Sequence, residues 1–239
     1  MLTVNDFPTV STREQLASLV AEAGFLPFFS SGIAGFSLRD HIDPAVWFKD
    51  GVDGPWEWKA DVGVYGKLFR GKAVFMTPEW YGILACYRRD GYDFEGMYED
   101  GLLPHGALPI MSELEKGSAP GISMESMGGL NAPRMGVISS DLRARTGMTD
   151  KASGFDQIIN LLQMKCFVIP TSFEYAVDRR GNPYGWGLAR YSLSDDRYGV
   201  QIAAAEERYS PKEAKELLTE RVMALCPDAA RKQAERLIK

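Results

Sequence analysis

Histidine and cysteine are scarce in this chain, with two and three residues respectively, and that scarcity removes several chemistries. Cys86, Cys166 and Cys226 are far apart, and neither a CxxC nor an HExxH motif occurs, so no zinc site and no redox pair is expected. The cysteines read instead as buried, reduced thiols. No apolar run approaches the roughly 20 residues needed to span a membrane. The opening residues, MLTVNDFPTV, show no basic region followed by an apolar stretch. Together these features set the expectation of a cytoplasmic protein without a membrane partner. No glycine-rich phosphate loop follows a strand, and no serine stands in a nucleophile elbow. No cofactor is implied. A basic excess is also missing: the net charge is −5, so any face for a polyanion has to be a local patch.

What is present is an ordinary globular composition, 45% hydrophobic and 25% charged over 239 residues, enough for a substantial core and two compact units. The pattern predicts an α+β protein: an N-terminal mixed α/β region over residues 1–103, a winged helix-turn-helix unit over 104–196, and a C-terminal helical segment over 197–239 packed on the core. In the N-terminal region, Ser11-Thr12-Arg13-Glu14 has the form of a capping box before a helix that stops at Gly24. Tyr65–Phe69 and Ala73–Met76 read as a strand-turn-strand around Arg70-Gly71-Lys72. Thr77-Pro78-Glu79 opens a helix, with a capping hydroxyl, a proline in the first turn and an acid at the positive end.

The most informative stretch runs from Ser139 to Ser192. Ser139 caps a short helix that Gly147 stops. A second helix begins near Gly154, with Phe155, Ile158, Ile159, Leu162 and Cys166 recurring at spacings of three and four. Cys166–Ile169 is then an apolar run expected to end at Pro170. Phe173, Tyr175 and Val177 alternate with polar residues, as a half-buried strand does. A turn at Asp178–Pro183 leads to a return strand carrying Tyr184, Trp186, Leu188 and Tyr191. Two helices followed by a β-hairpin spell a winged helix, a module most often used to hold double-stranded DNA. A helix near Gly106–Glu115 would precede it, joined by a long Gly/Ser/Met-rich stretch at 117–134.

If the unit holds DNA, the candidate contacts are Arg143, Arg145, Lys151, Gln157, Arg179, Arg180 and Asn182, with the last three at the wing tip. Between Arg134 and Arg197 there are nine Lys/Arg and seven Asp/Glu, so the electrostatic footprint is modest. The opposite reading is a winged helix used for packing or protein contacts. Two further groups merit weighing. Trp56, Trp58 and Tyr65, with Phe69, Trp80 and Tyr87, could form either a pocket that stacks a flipped base or ordinary core, with Arg88 and Arg89 beside them. Asp90 and Asp93 are weak candidates for activating a water. The alternative is a solvated loop whose acids pair with Arg88 and Arg89. No metal site is indicated.

Three stretches carry a family resemblance: Trp56-Glu57-Trp58-Lys59 with Tyr65-Gly66-Lys67; Tyr87 to Asp93; and Leu162-Gln163-Met164 with Tyr184-Gly185-Trp186. Over about Gly24 to Ser194 the chain resembles the AlkZ-related proteins, a bacterial group related to the AlkZ-like winged-helix DNA glycosylases. Those enzymes remove alkylated or crosslinked bases. Their signature is a glutamine, an apolar residue, then a second glutamine, aspartate or histidine. Of Gln15, Gln157, Gln163, Gln201 and Gln233, only Gln233-Ala234-Glu235 approaches that pattern, and Gln163 reads as structural or DNA-facing. Three readings stand: a duplex-DNA-binding protein without an evident catalytic motif, a glycosylase of alkylated bases with a non-standard catalytic residue, and a protein-interaction module without DNA binding.

Overall fold

The computed structural model describes residues 2–47, 53–118, 136–150, 154–177 and 183–239. Helix α1 (Arg13–Ala23) is capped one residue later than the sequence pattern suggested. Thr12 Oγ1 accepts from Gln15 N–H, and Gln15 Oε1 accepts from the backbone N–H of Ser11 and Thr12. A glutamine completes the box as well as the glutamate expected at Glu14, because either can accept from the cap N–H. Gly24, at φ 84°, then turns the chain into β1 (Phe25–Pro27). Beyond a short helix α2 (Pro55–Trp58), β2 (Val64–Phe69) and β3 (Lys72–Met76) form a hairpin. Arg70 and Gly71 link them with both φ angles positive, the geometry that suits the twist of a two-residue hairpin. These strands make an antiparallel sheet in the order β1-β3-β2.

Helix α3 (Pro78–Arg89) starts at Thr77 as expected and ends at Asp90 in the left-handed conformation. The stretch expected to be a polar loop holds helix α4 (Phe94–Glu99), because Asp93 accepts from Gly96 N–H and caps it. Helix α5 (Ala107–Ser118) follows. Strand β4 (Val137–Ile138), helix α6 (Ser139–Thr146), helix α7 (Phe155–Met164) and strands β5 (Val168–Val177) and β6 (Pro183–Leu193) come next. The order in this second antiparallel sheet is β4-β6-β5. The apolar run ends at Pro170, but the strand does not: Pro170 sits within β5 at a register shift, on an outer strand where no ladder N–H is demanded. Cys166 lies beyond α7 at φ 59°, where it ends the helix rather than extending its buried face. Three helices close the chain, α8 (Ser194–Arg208), α9 (Pro211–Leu225) and α10 (Arg231–Ile238). Among the described residues no helix is long and apolar enough to cross a membrane.

Two apolar clusters result. One joins α1, the first sheet and α3 to Ile202, Leu218, Val222, Leu225 and Ile238 of the last three helices. The other gathers Phe94, Met97, Leu114, Leu142, Phe155, Ile159, Leu162 and Val168 from α4–α7 and β5. Gln163 stitches the two together. It is buried, its Oε1 accepts from Lys67 N–H of β2 at 3.0 Å, and its Nε2 donates to the Ile159 carbonyl. All three cysteines are buried and free.

Candidate functional site

The residues expected to face nucleic acid divide by how they are held. Arg145 on α6 and Gln157 on α7 are exposed. Arg143 is committed: its guanidinium pairs with Asp156 and lies 4.2 Å from the Phe155 ring centroid, tying α6 to α7. Lys151, Arg179, Arg180 and Asn182 lie outside the described residues. Helix α7 shows water its first turn, through Asp156 and Gln157, and buries Gln163 near its end. At the root of the hairpin, Arg190 pairs with Glu174 and donates to the Gly136 carbonyl, bracing all three strands.

The arginines beside the aromatic group are structural clamps. Arg89 is 6% exposed. It forks onto both oxygens of Asp195, at 2.9 and 2.7 Å, and donates to the Cys166 carbonyl at 2.7 Å. Burial pulls its pKa down, but the hydrogen bonds and charge of Asp195 outweigh that, leaving it above the usual guanidinium value. Arg88 donates to the carbonyls of Leu68 and Ile238, and burial lowers its pKa. Neither pairs with Asp90 or Asp93. Asp90 occupies the left-handed position closing α3, and Asp93 caps α4. Asp93 and Arg89 do border a surface pocket of about 360 Å³, together with Cys86 and Tyr209. The Cys86 thiol donates to the Tyr209 carbonyl, and burial, then nearby acids, raise its pKa, so it is no nucleophile there.

The aromatic residues mostly pack on one another. Phe28 touches Trp56 at 5.1 Å and Phe75 at 5.5 Å between ring centroids, and Tyr65 lies 5.2 Å from Phe75. Trp58 and Phe69 are buried, whereas Trp56 and Tyr65 keep partial exposure. Burial holds the Tyr65 phenol far above its ordinary pKa.

Sequence reasoning missed the residue at the centre of this group. Lys59, just beyond α2, is only 6% exposed. Its Nζ lies 4.1 Å from the Phe173 ring centroid, 5.1 Å from that of Trp56 and 5.7 Å from that of Tyr175. It also donates to the Tyr175 hydroxyl at 3.4 Å. Among the described residues it forms no ion pair with a carboxylate. Burial pushes its pKa down to about 8, against a weak opposing pull from Glu57. A partial signal was present in the sequence. Trp56 and Lys59 stand one helical turn apart, and Phe173 and Tyr175 share one strand face. Nothing local said that the two elements would meet. No group of three or more His, Cys, Asp or Glu side chains is arranged to hold a metal ion among the described residues.

These features define a mixed α+β protein in which, among the described residues, two small antiparallel sheets meet around Gln163, Arg89 and Lys59. Residues 10–239 match the model of the AlkZ-related family, and the chain belongs to that family. No curated protein and no solved structure matches it.

Proposed function

We propose that residues 104–196 form a winged helix that holds double-stranded DNA, between an N-terminal region (1–103) and a C-terminal helical segment (197–239). The observation that carries this reading is the order α5-β4-α6-α7-β5-β6 closed around one apolar cluster, with β6 central in its sheet. In this reading α7 is the recognition helix and the β5–β6 hairpin is the wing. The first turn of α7, with Gln157, enters the groove, which suits a helix whose far end is anchored on β2. Arg145, Lys151, Arg179 and Arg180 hold phosphates, and Asn182 joins them from the wing tip. Arg143 acts indirectly, by fixing α6 on α7. Membership of the AlkZ-related family supports a relation to DNA-repair glycosylases.

Two glutamines that could serve the chemistry of those enzymes are engaged elsewhere. Gln163 is spent on backbone partners. Gln233 caps α10, and Glu235 pairs with Arg231. The proposed role is therefore DNA binding without the family's glutamine pair. The test is a salt titration with a labelled duplex. Binding should weaken steeply as salt rises, and Arg179→Ala with Arg180→Ala should weaken it on every sequence tried and flatten the salt slope by about two. Failure to bind intact and abasic-analogue duplexes at low salt would leave the protein-interaction reading. Release of an alkylated base would favour a glycosylase with a different catalytic group.

A further inference from the structure

We propose that Lys59 is an amine nucleophile that captures the ring-opened aldehyde of an abasic site as an imine. The inference rests on the DNA-binding reading above and extends it to a substrate class.

The surroundings of Lys59 set it apart from a surface lysine. A buried ammonium is normally matched by a carboxylate, because desolvation is costly. Among the described residues Lys59 is met by the rings of Trp56 and Phe173 and by Tyr175, whose hydroxyl accepts from it. Ring faces stabilise a cation but leave the nitrogen lone pair free once the proton departs. The charged and titratable groups around it are Glu57 near its own helix, Tyr175 on β5, and Tyr65 on β2 behind Phe173. Among the described residues Glu57 is the one carboxylate with an influence on it, and its Oε2 is already engaged by the Gly54 N–H. With its pKa near 8, a useful fraction of Lys59 is neutral at physiological pH, the condition for nucleophilic attack by an amine.

Phe173 and Tyr175 belong to β5, one of the two strands of the proposed wing. They are partly exposed, as is Trp56, so the rim of the cage reaches solvent along the hairpin that would lie on the DNA backbone, with Lys59 6% exposed beneath it. A phosphate is the poorer occupant of this cage, since it needs charge and N–H donors and the walls are rings. An uncharged carbonyl carbon on a sugar suits both the walls and the amine.

The step balances without an oxidant or a metal. The neutral Lys59 Nζ adds to the C1′ aldehyde carbon, giving a carbinolamine. Loss of one nitrogen-bound proton and the carbinolamine hydroxyl, together as water, leaves the C=N bond. The Tyr175 hydroxyl, 3.4 Å from Nζ, is placed to hand a proton to the departing oxygen and recover one from the nitrogen. Burial raises the Tyr175 pKa, so it stays protonated for that exchange.

The experiment incubates the full chain with a duplex carrying one abasic site, with and without borohydride, and reads duplex binding and covalent adduct separately. An irreversible adduct mapped to Lys59 by peptide mass spectrometry is expected, with a rate that rises with pH and levels off near 8. Lys59→Arg keeps the cation and the cage but cannot form a stable imine, so adduct yield should fall at least about tenfold while duplex binding persists. Lys59→Met serves as a second variant should arginine disturb the fold. Binding without a Lys59 adduct, or an adduct that survives both substitutions, overturns the inference and leaves the DNA reading intact. Failure to bind the duplex at all overturns both.

Discussion

Arg89 and Lys59 are each 6% exposed, and both lie where the N-terminal region meets the second sheet, yet their surroundings are opposite. Arg89 finds a carboxylate and a carbonyl, so its charge is matched by hydrogen bonds. Lys59 finds rings and a phenol, and among the described residues no carboxylate is paired to its charge. A matched buried cation fixes geometry and gives up reactivity. An unmatched one weakens its own charge and keeps a usable lone pair. Burial alone therefore does not separate a structural cation from a chemical one; the partner set does.

Substitution separates the two cations. The largest effect is expected from Arg89→Met, which strips the Cys166 carbonyl of its donor and leaves Asp195 unpaired. Removing such a fork should cost about 3 kcal/mol of stability, read by denaturant unfolding. A loss below about 1 kcal/mol would mean that the clamp adds little. Lys59→Met should be far milder at neutral pH, within about 1 kcal/mol, since the lost cation–ring contact is offset by removing a desolvated charge. Its signature is in the pH dependence. The folded pKa near 8 lies below the ordinary lysine value of 10.5, so above pH 8 the unfolded state binds more protons than the folded one. Wild-type stability should then rise relative to Lys59→Met as pH climbs from about 8 to 10.5, and stay level below that window. A difference independent of pH would remove Lys59 from its special position.

Much of the fold was legible because its signals are local. Gly24 and Gly147 stop helices where left-handed geometry is cheap, Thr77-Pro78 starts one, and the apolar spacing of Phe155, Ile158, Ile159 and Leu162 gives a helix that is buried on that face. Misreadings came where competing local chemistry was overlooked. Asp93 looked like loop acidity and is a helix cap. Pro170 looked like a stop and is tolerated on an outer strand. The site was less legible because its partners are distant in sequence. Arg89 and Asp195, like Lys59 and Phe173, are more than a hundred positions apart, and no periodicity within either segment announces the meeting. Arg88 and Arg89 seemed bound to the neighbouring acids only because those acids were near in sequence. Of the proposed DNA face, Arg145 and Gln157 are exposed, whereas Arg143 is occupied by Asp156 and Phe155.

Hydrogen exchange of the full chain with and without a saturating duplex tests the DNA-holding winged helix. The winged-helix account predicts slowed exchange in α6, the first turns of α7 and the β5–β6 hairpin, with α8, α9 and α10 unchanged. Protection confined to those last three helices or to the β1-β3-β2 sheet, or no protection anywhere, would contradict it.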